Sequence, residues 1–122
     1  MGIDYGLDKQ GRILSINYTG KITFKDLEEN WTSVINQNLI HENIRGFILD
    51  CRNAIMDIEV DEIEKLSGFF RRNLSVFEKK RFAYVTQSPD QIILPLLLQE
   101  DDYNYESRPF STTRAAIEWV LN

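Results

Sequence analysis

Ile44-Arg45-Gly46-Phe47-Ile48-Leu49-Asp50-Cys51-Arg52 is the stretch on which the fold turns. Its apolar run ends abruptly at Asp50, as a strand buried on both faces does when it leaves the core. An amphipathic helical pattern lies on either side of it, so it reads as a central strand of an open α/β sheet. Sites in such sheets lie beyond the carboxyl ends of the strands, which puts the expected site edge at Asp50, Cys51, Arg52 and Asn53.

Upstream, Ile3–Leu7 and Arg12–Tyr18 alternate like strands around the polar turn Asp8-Lys9-Gln10-Gly11, the pattern of a β-hairpin. Thr19 to Ile22 then lead to a helix capped by Thr23, with Asp26 three residues on. Its apolar stripe is Phe24, Leu27, Trp31, Val34 and Ile35. Downstream, Asn53 to Glu59 reads as a connection and Val60 to Asn73 as a second helix. That helix carries its acids early and Arg71 and Arg72 late, as the helix dipole favours. Arg81–Thr86 is the next strand.

Ser88-Pro89-Asp90-Gln91 has the form of a capping box with Pro at the first helical position. The helix it opens, Ile92 to Leu98, is apolar all round, and Pro95 is expected to kink or break it. Three explanations stay open: a helix sandwiched within the domain, a self-association surface, or the wall of a pocket for a small apolar ligand. The residues concerned are Ile93, Leu94, Leu97 and Leu98, with Tyr84, Tyr103 and Tyr105 as a rim. Tyr105–Phe110 is a strand that Pro109 confines to a sheet edge. Ser111 or Thr112 caps a last helix whose Ala116, Ile117, Val120 and Leu121 face inward. The expectation is an α/β fold with a mixed, mostly parallel sheet of about five strands, an N-terminal hairpin and about four helices.

A chain of 122 residues with 43% hydrophobic and 27% charged residues is one domain able to bury its own core. Its net charge of −5 argues against a nucleic-acid binder, which needs a basic surplus. The basic cluster Lys79-Lys80-Arg81 reads as a solvated turn. The apolar stretches are too short for an integral membrane segment, and Met1-Gly2-Ile3-Asp4 has no signal-peptide character. Gly6 replaces the Ser or Thr that myristoylation wants. A cytoplasmic location is expected.

Little reactive chemistry is on offer. Cys51 and His41 are alone of their kind, with neither disulfide partner nor zinc spacing. No Gly-rich phosphate loop and no GxSxG elbow occurs. Asp57, Glu59, Asp61 and Glu62 do not have calcium-loop spacing and suit the solvated start of a helix. Neither catalysis nor a cofactor or metal is expected.

Gly20-Lys21-Ile22-Thr23-Phe24-Lys25-Asp26-Leu27 resembles the opening of the first helix in the STAS-like (SpoIIAA-like) family of small bacterial α/β proteins. Phe47-Ile48-Leu49-Asp50 is similar to that family's central strand and Ala83-Tyr84-Val85 to the strand after it. Phe110, Ala116, Trp119 and Val120 stand at the spacing of the family's terminal helix. The resemblance implies a SpoIIAA-like fold, whose wider group includes anti-anti-sigma factors that bind a kinase and lipid carriers of the CRAL-TRIO type. Anti-anti-sigma factors carry a phosphorylatable serine in an Asp-Ser-Ser-Gly turn. The similar turn here, Asp57-Ile58-Glu59-Val60, has no hydroxyl, so no phosphoserine switch is expected at that place. Together these readings favour a non-enzymatic module that binds a protein partner, or a second copy of itself, through Asp50, Cys51, Arg52, Asn53, Asp57 and Glu59. The alternative is a carrier or sensor of a small apolar or lipid-like ligand beside Ile92 to Leu98.

Overall fold

The computed structural model describes residues 2–98 and 105–122; Tyr103 lies outside them. In chain order the elements are β1 (Gly2–Leu7), β2 (Ile13–Thr23), α1 (Phe24–Asn36), β3 (Gly46–Asp57), α2 (Val60–Arg72), α3 (Leu74–Phe77), β4 (Arg81–Val85), α4 (Pro89–Leu97), β5 (Glu106–Phe110) and α5 (Thr113–Leu121). The five strands lie side by side in chain order. β1 runs antiparallel to β2, and every later pair is parallel. The expected α/β architecture is therefore present, with β3 in the middle of the sheet and β5 at an edge.

The hairpin turn is closed by the Asp8 carboxylate, which accepts from the backbone N–H groups of Arg12 (2.7 Å) and Ile13 (3.0 Å). Thr23 caps α1 as its sequence requires: its hydroxyl accepts from Asp26 N, while the Asp26 carboxylate accepts from Thr23 N. At the other end Asn38 takes φ 56°, a left-handed conformation Asn tolerates, and the chain turns out of the helix there. α3, a single turn after α2, was not legible in the periodicity.

One large core fills the side of the sheet that carries α1, α2 and α4. Trp31 stands edge-on to four rings in it, from Phe47 at 5.1 Å to Phe70 at 5.8 Å, with Phe77 and Phe82 between. A smaller core of Ile13, Ile48, Ala83 and Val85 lies on the opposite side under Ala116 and Val120 of α5. Ile117 is exposed, contrary to its expected inward position, because α5 covers only a narrow strip of sheet. Gly46 opens β3 where a Cβ would lie 2.2 Å from the Arg81 carbonyl oxygen and 2.9 Å from Val120 Cγ1.

Two strand ends differ from the sequence reading. β2 continues through Lys21 and Ile22 to Thr23, and β3 continues through the supposed connection to Asp57. The two segments form a parallel ribbon beyond the end of β4, whose last partner on β3 is Asp50. Asp50 is thus inside a strand, and the expected exit loop at Asp50 to Asn53 does not exist. Neither segment has a long apolar run, because one side of the ribbon faces solvent.

Candidate functional site

β3 bulges where β4 leaves it. Asn17 pairs with Asp50 and Thr19 with Asn53, so Cys51 and Arg52 together oppose Tyr18. The extra residue lets Ala54 and Met56 point to the main core after Leu49 and Cys51 have done so. It also leaves β3 carbonyls with no fourth strand to accept from. Two glutamines of the following segment take its place. Gln91 Nε2 donates to Cys51 O (2.7 Å) and Ala54 O (3.1 Å), and Gln87 Nε2 donates to Arg52 O (2.9 Å). Gln91 Oε1 in turn accepts from Gln87 N at 2.8 Å. The expected capping box is therefore not formed: Ser88 precedes α4 without a side-chain cap bond, and Gln91 is committed to the bulge.

On the α5 side of the bulge Arg52 holds Asp50 through two bonds, Nε to Oδ1 at 3.0 Å and Nη2 to Oδ2 at 2.8 Å. The same Nη2 reaches Thr113 Oγ1 at the start of α5, 3.3 Å away. Hydrogen bonding from Arg52 holds the Asp50 carboxyl below its ordinary range, against the opposing effect of partial burial. Cys51 points the other way. It is 1% exposed, and its thiol lies 3.7 Å from Leu49 O. Burial pushes that thiol up to about 12, with the Asp50 charge adding to it. A thiol so placed is neither a nucleophile nor a contact for a partner.

The six residues expected to form one partner-binding face are thus divided. Strand alternation sends Asp50, Asn53 and Asp57 to the α5 side of the sheet, where Asp57 pairs with Lys21 at 3.4 Å. Cys51 enters the core. Glu59 is exposed at the start of α2, its backbone N–H donating to the Glu62 carboxylate at 2.9 Å. No serine or threonine occurs between Asp57 and Ser67, and Ser67 is buried.

The apolar helix is divided as well. α4 runs through Pro95 to Leu97 without the expected break. Leu94, Pro95 and Leu98 face the protein, whereas Ile93, Leu96 and Leu97 are about half exposed, at 52%, 55% and 50%. Tyr84 and Tyr105 are core residues rather than a rim. Hence Leu94, Leu98 and Tyr84 do not share a surface or pocket with Ile93 and Leu97. Leu97 instead closes a groove of about 180 Å³ against α2, lined by Val60, Ile63, Glu64, Ser67 and Arg71. A second cleft of about 340 Å³ lies at the carboxyl ends of β4 and β5, between Thr86–Pro89 with Ile92 and Pro109–Ser111. Among the described residues, no three His, Cys, Asp or Glu side chains are grouped to hold a metal ion. Nor is any described helix long and apolar enough to cross a membrane.

With the geometry in view, the molecule can be set beside solved structures. A protein of the DUF3478 family with a SpoIIAA-like fold, from Shewanella loihica PV-4, superposes with a TM-score of 0.62 at 18% identity, over 98% of this chain and 92% of the other. The anti-sigma factor antagonist SpoIIAA in its unphosphorylated form superposes with a TM-score of 0.60 at 13% identity, over 99% of each chain. The fold is SpoIIAA-like. No protein-family model matches the sequence, and no curated protein is significantly similar to it. At such low identity the SpoIIAA-like likeness is one of backbone architecture. It agrees with the resemblance read from the first helix, the central strand and the terminal helix. Sequence reasoning missed one feature of this SpoIIAA-like chain, the glutamine pair at the bulge. Its signal was two Gln residues four apart across a helix start, the second of which also stands three after Ser88, as a cap would have it.

Proposed function

We propose that this chain is a non-enzymatic binding module that docks a protein partner on the groove between α2 and α4. Val60, Ile63 and Leu97 supply the apolar floor and wall, and Glu64, Ser67 and Arg71 a polar border. The carrying observation is that Leu97 of α4, 50% exposed, and Val60 of α2, 69% exposed, face one groove. Exposed apolar groups gathered beside a helix start, within a charged border, are the makings of an interface core and rim. The sealed position of Cys51 and the closed Asp50–Arg52 pair support a role without catalysis. The SpoIIAA-like fold is compatible with such a role, since its relative SpoIIAA is an anti-sigma factor antagonist. The partner brings an apolar anchor to this groove, and the chain's net charge of −5 favours a basic surface around it.

The test compares affinity capture by the wild type, Val60→Asp and Leu97→Asp, followed by reconstitution of the captured complex from pure components. Both substitutions lie on exposed positions, so their melting temperatures should match the wild type. A pure partner that binds the wild type and loses at least about tenfold affinity for both variants supports the proposal. Equal binding by all three proteins would sink it. The cleft beside Ile92 favours a second reading, carriage of a small apolar molecule, because Pro89, Ile92, Pro109 and Phe110 give it apolar walls. Native mass spectrometry decides that reading through a retained small-molecule adduct that Ile92→Asp abolishes.

A further inference from the structure

β1 is an outer strand with no neighbour beyond it among the described residues. Proteins usually blunt such edges with proline, lysine or a bulge, because unpaired backbone groups there invite another strand. Gly2-Ile3-Asp4-Tyr5-Gly6-Leu7 has neither proline nor lysine, Asp4 is its single charge, and its register with β2 is unbroken. The opposite edge, β5, is protected by Pro109. Opposite Tyr18, Ile16 and Leu14 of β2, the side chains of Ile3, Tyr5 and Leu7 share the face of the sheet that carries α1, α2 and α4. Tyr5 and Leu7 remain 36% and 41% exposed, and the Tyr5 hydroxyl accepts from Gln37 Nε2 at 2.9 Å. The outer strand thus presents a fixed apolar row on one face and Asp4 and Gly6 on the other.

From this pattern we infer that β1 is a self-association edge, on which β1 of a second copy pairs antiparallel to continue the sheet. The occupant follows from the register. With the two-fold axis at Tyr5, Ile3 lies opposite the partner's Leu7, Tyr5 opposite the partner's Tyr5, and Asp4 opposite the partner's Gly6. The apolar row meets itself, and each carboxylate faces a residue with no side chain. Placing the axis at Asp4 sets two Asp4 carboxylates against each other, and placing it at Gly6 sets Asp4 against the partner's Asp8. A one-residue slip would turn the apolar row onto the polar one. Only the Tyr5 register is free of these conflicts. This surface is separate from the α2–α4 groove, so the two readings stand or fall independently.

Gly6 gives the test. A Cβ at Gly6 would meet nothing within 4 Å, and its backbone is not left-handed, so substitutions there are tolerated by the monomer. In the Tyr5 register a side chain at Gly6 faces the partner's Asp4 twice per dimer. Sedimentation equilibrium of the full chain without an N-terminal tag should show a monomer–dimer equilibrium. Gly6→Asp should weaken it and Gly6→Lys tighten it, their dissociation constants lying at least about tenfold apart at low salt and converging as salt screens the pairs. Leu97→Asp should leave the wild-type constant unchanged. A protein monomeric at every concentration, a dimer indifferent to both Gly6 substitutions, or a dimer dissolved by Leu97→Asp would overturn the inference.

Discussion

Replacing Gln91 by Met isolates the work done at the β3 bulge. The two side chains are similar in length and volume, so the exchange opens little cavity and chiefly removes one amide. Three backbone groups lose their partner: Cys51 O at 2.7 Å, Ala54 O at 3.1 Å and Gln87 N at 2.8 Å. A buried group left unsatisfied costs roughly 1–3 kcal/mol. Gln87 is on the surface, where water replaces the lost bond, so two carbonyls carry most of the penalty. The expected loss is about 3 kcal/mol, a substantial part of the 5–15 kcal/mol that holds an ordinary domain together. For a chain of this size that lowers Tm by roughly 10 °C. Urea unfolding read by circular dichroism measures it, with Ser88→Ala as the comparison. Had Ser88 and Gln91 formed a capping box, the serine change would cost about 1 kcal/mol; lacking a cap bond, it should cost almost nothing. A Gln91→Met loss under about 0.5 kcal/mol, or a Ser88→Ala loss as large, would refute the reasoning.

Other consequences are as direct. Burial raises the Cys51 thiol from 9.0 to about 12, so its protonated form stabilises the native state in full below pH 9 and less and less as pH climbs towards the folded value. Cys51→Ala should therefore flatten the alkaline loss of stability by about 1.4 kcal/mol per pH unit above pH 9, and parallel pH profiles would contradict this. Leu98→Ala should cost about 2–5 kcal/mol because the side chain is fully buried, whereas Leu97→Ala, half exposed, should stay within about 0.5 kcal/mol. Equal losses in urea titrations would mean that α4 is rotated about its axis. Gly46→Ala should cost more than about 3 kcal/mol, since its Cβ would collide with the Arg81 carbonyl oxygen, and an unchanged denaturation midpoint would show that the two strands can part there.

What the sequence determined by itself was the order of the strands and longer helices and the caps of α1 and α5. Thr23 with Asp26, the period of the α1 stripe, Pro109 and Thr112 act within a few residues, so local chemistry states their role. The short apolar run Phe47–Leu49 announced a strand covered on both sides, and α5 does lie opposite the other helices. Tertiary structure alone decided where β3 ends, because residues Asn53 to Asp57 are held by β2, a strand some thirty positions earlier that no local pattern reveals. It also decided the fate of Gln91: the bond it makes to Cys51 and Ala54 spans about forty positions and outcompetes the neighbouring cap. The same holds for α4. Seven apolar residues in a row cannot say which of them meet the core; the sheet and α2 do, by covering Leu94 and Leu98 and leaving Ile93, Leu96 and Leu97 to solvent.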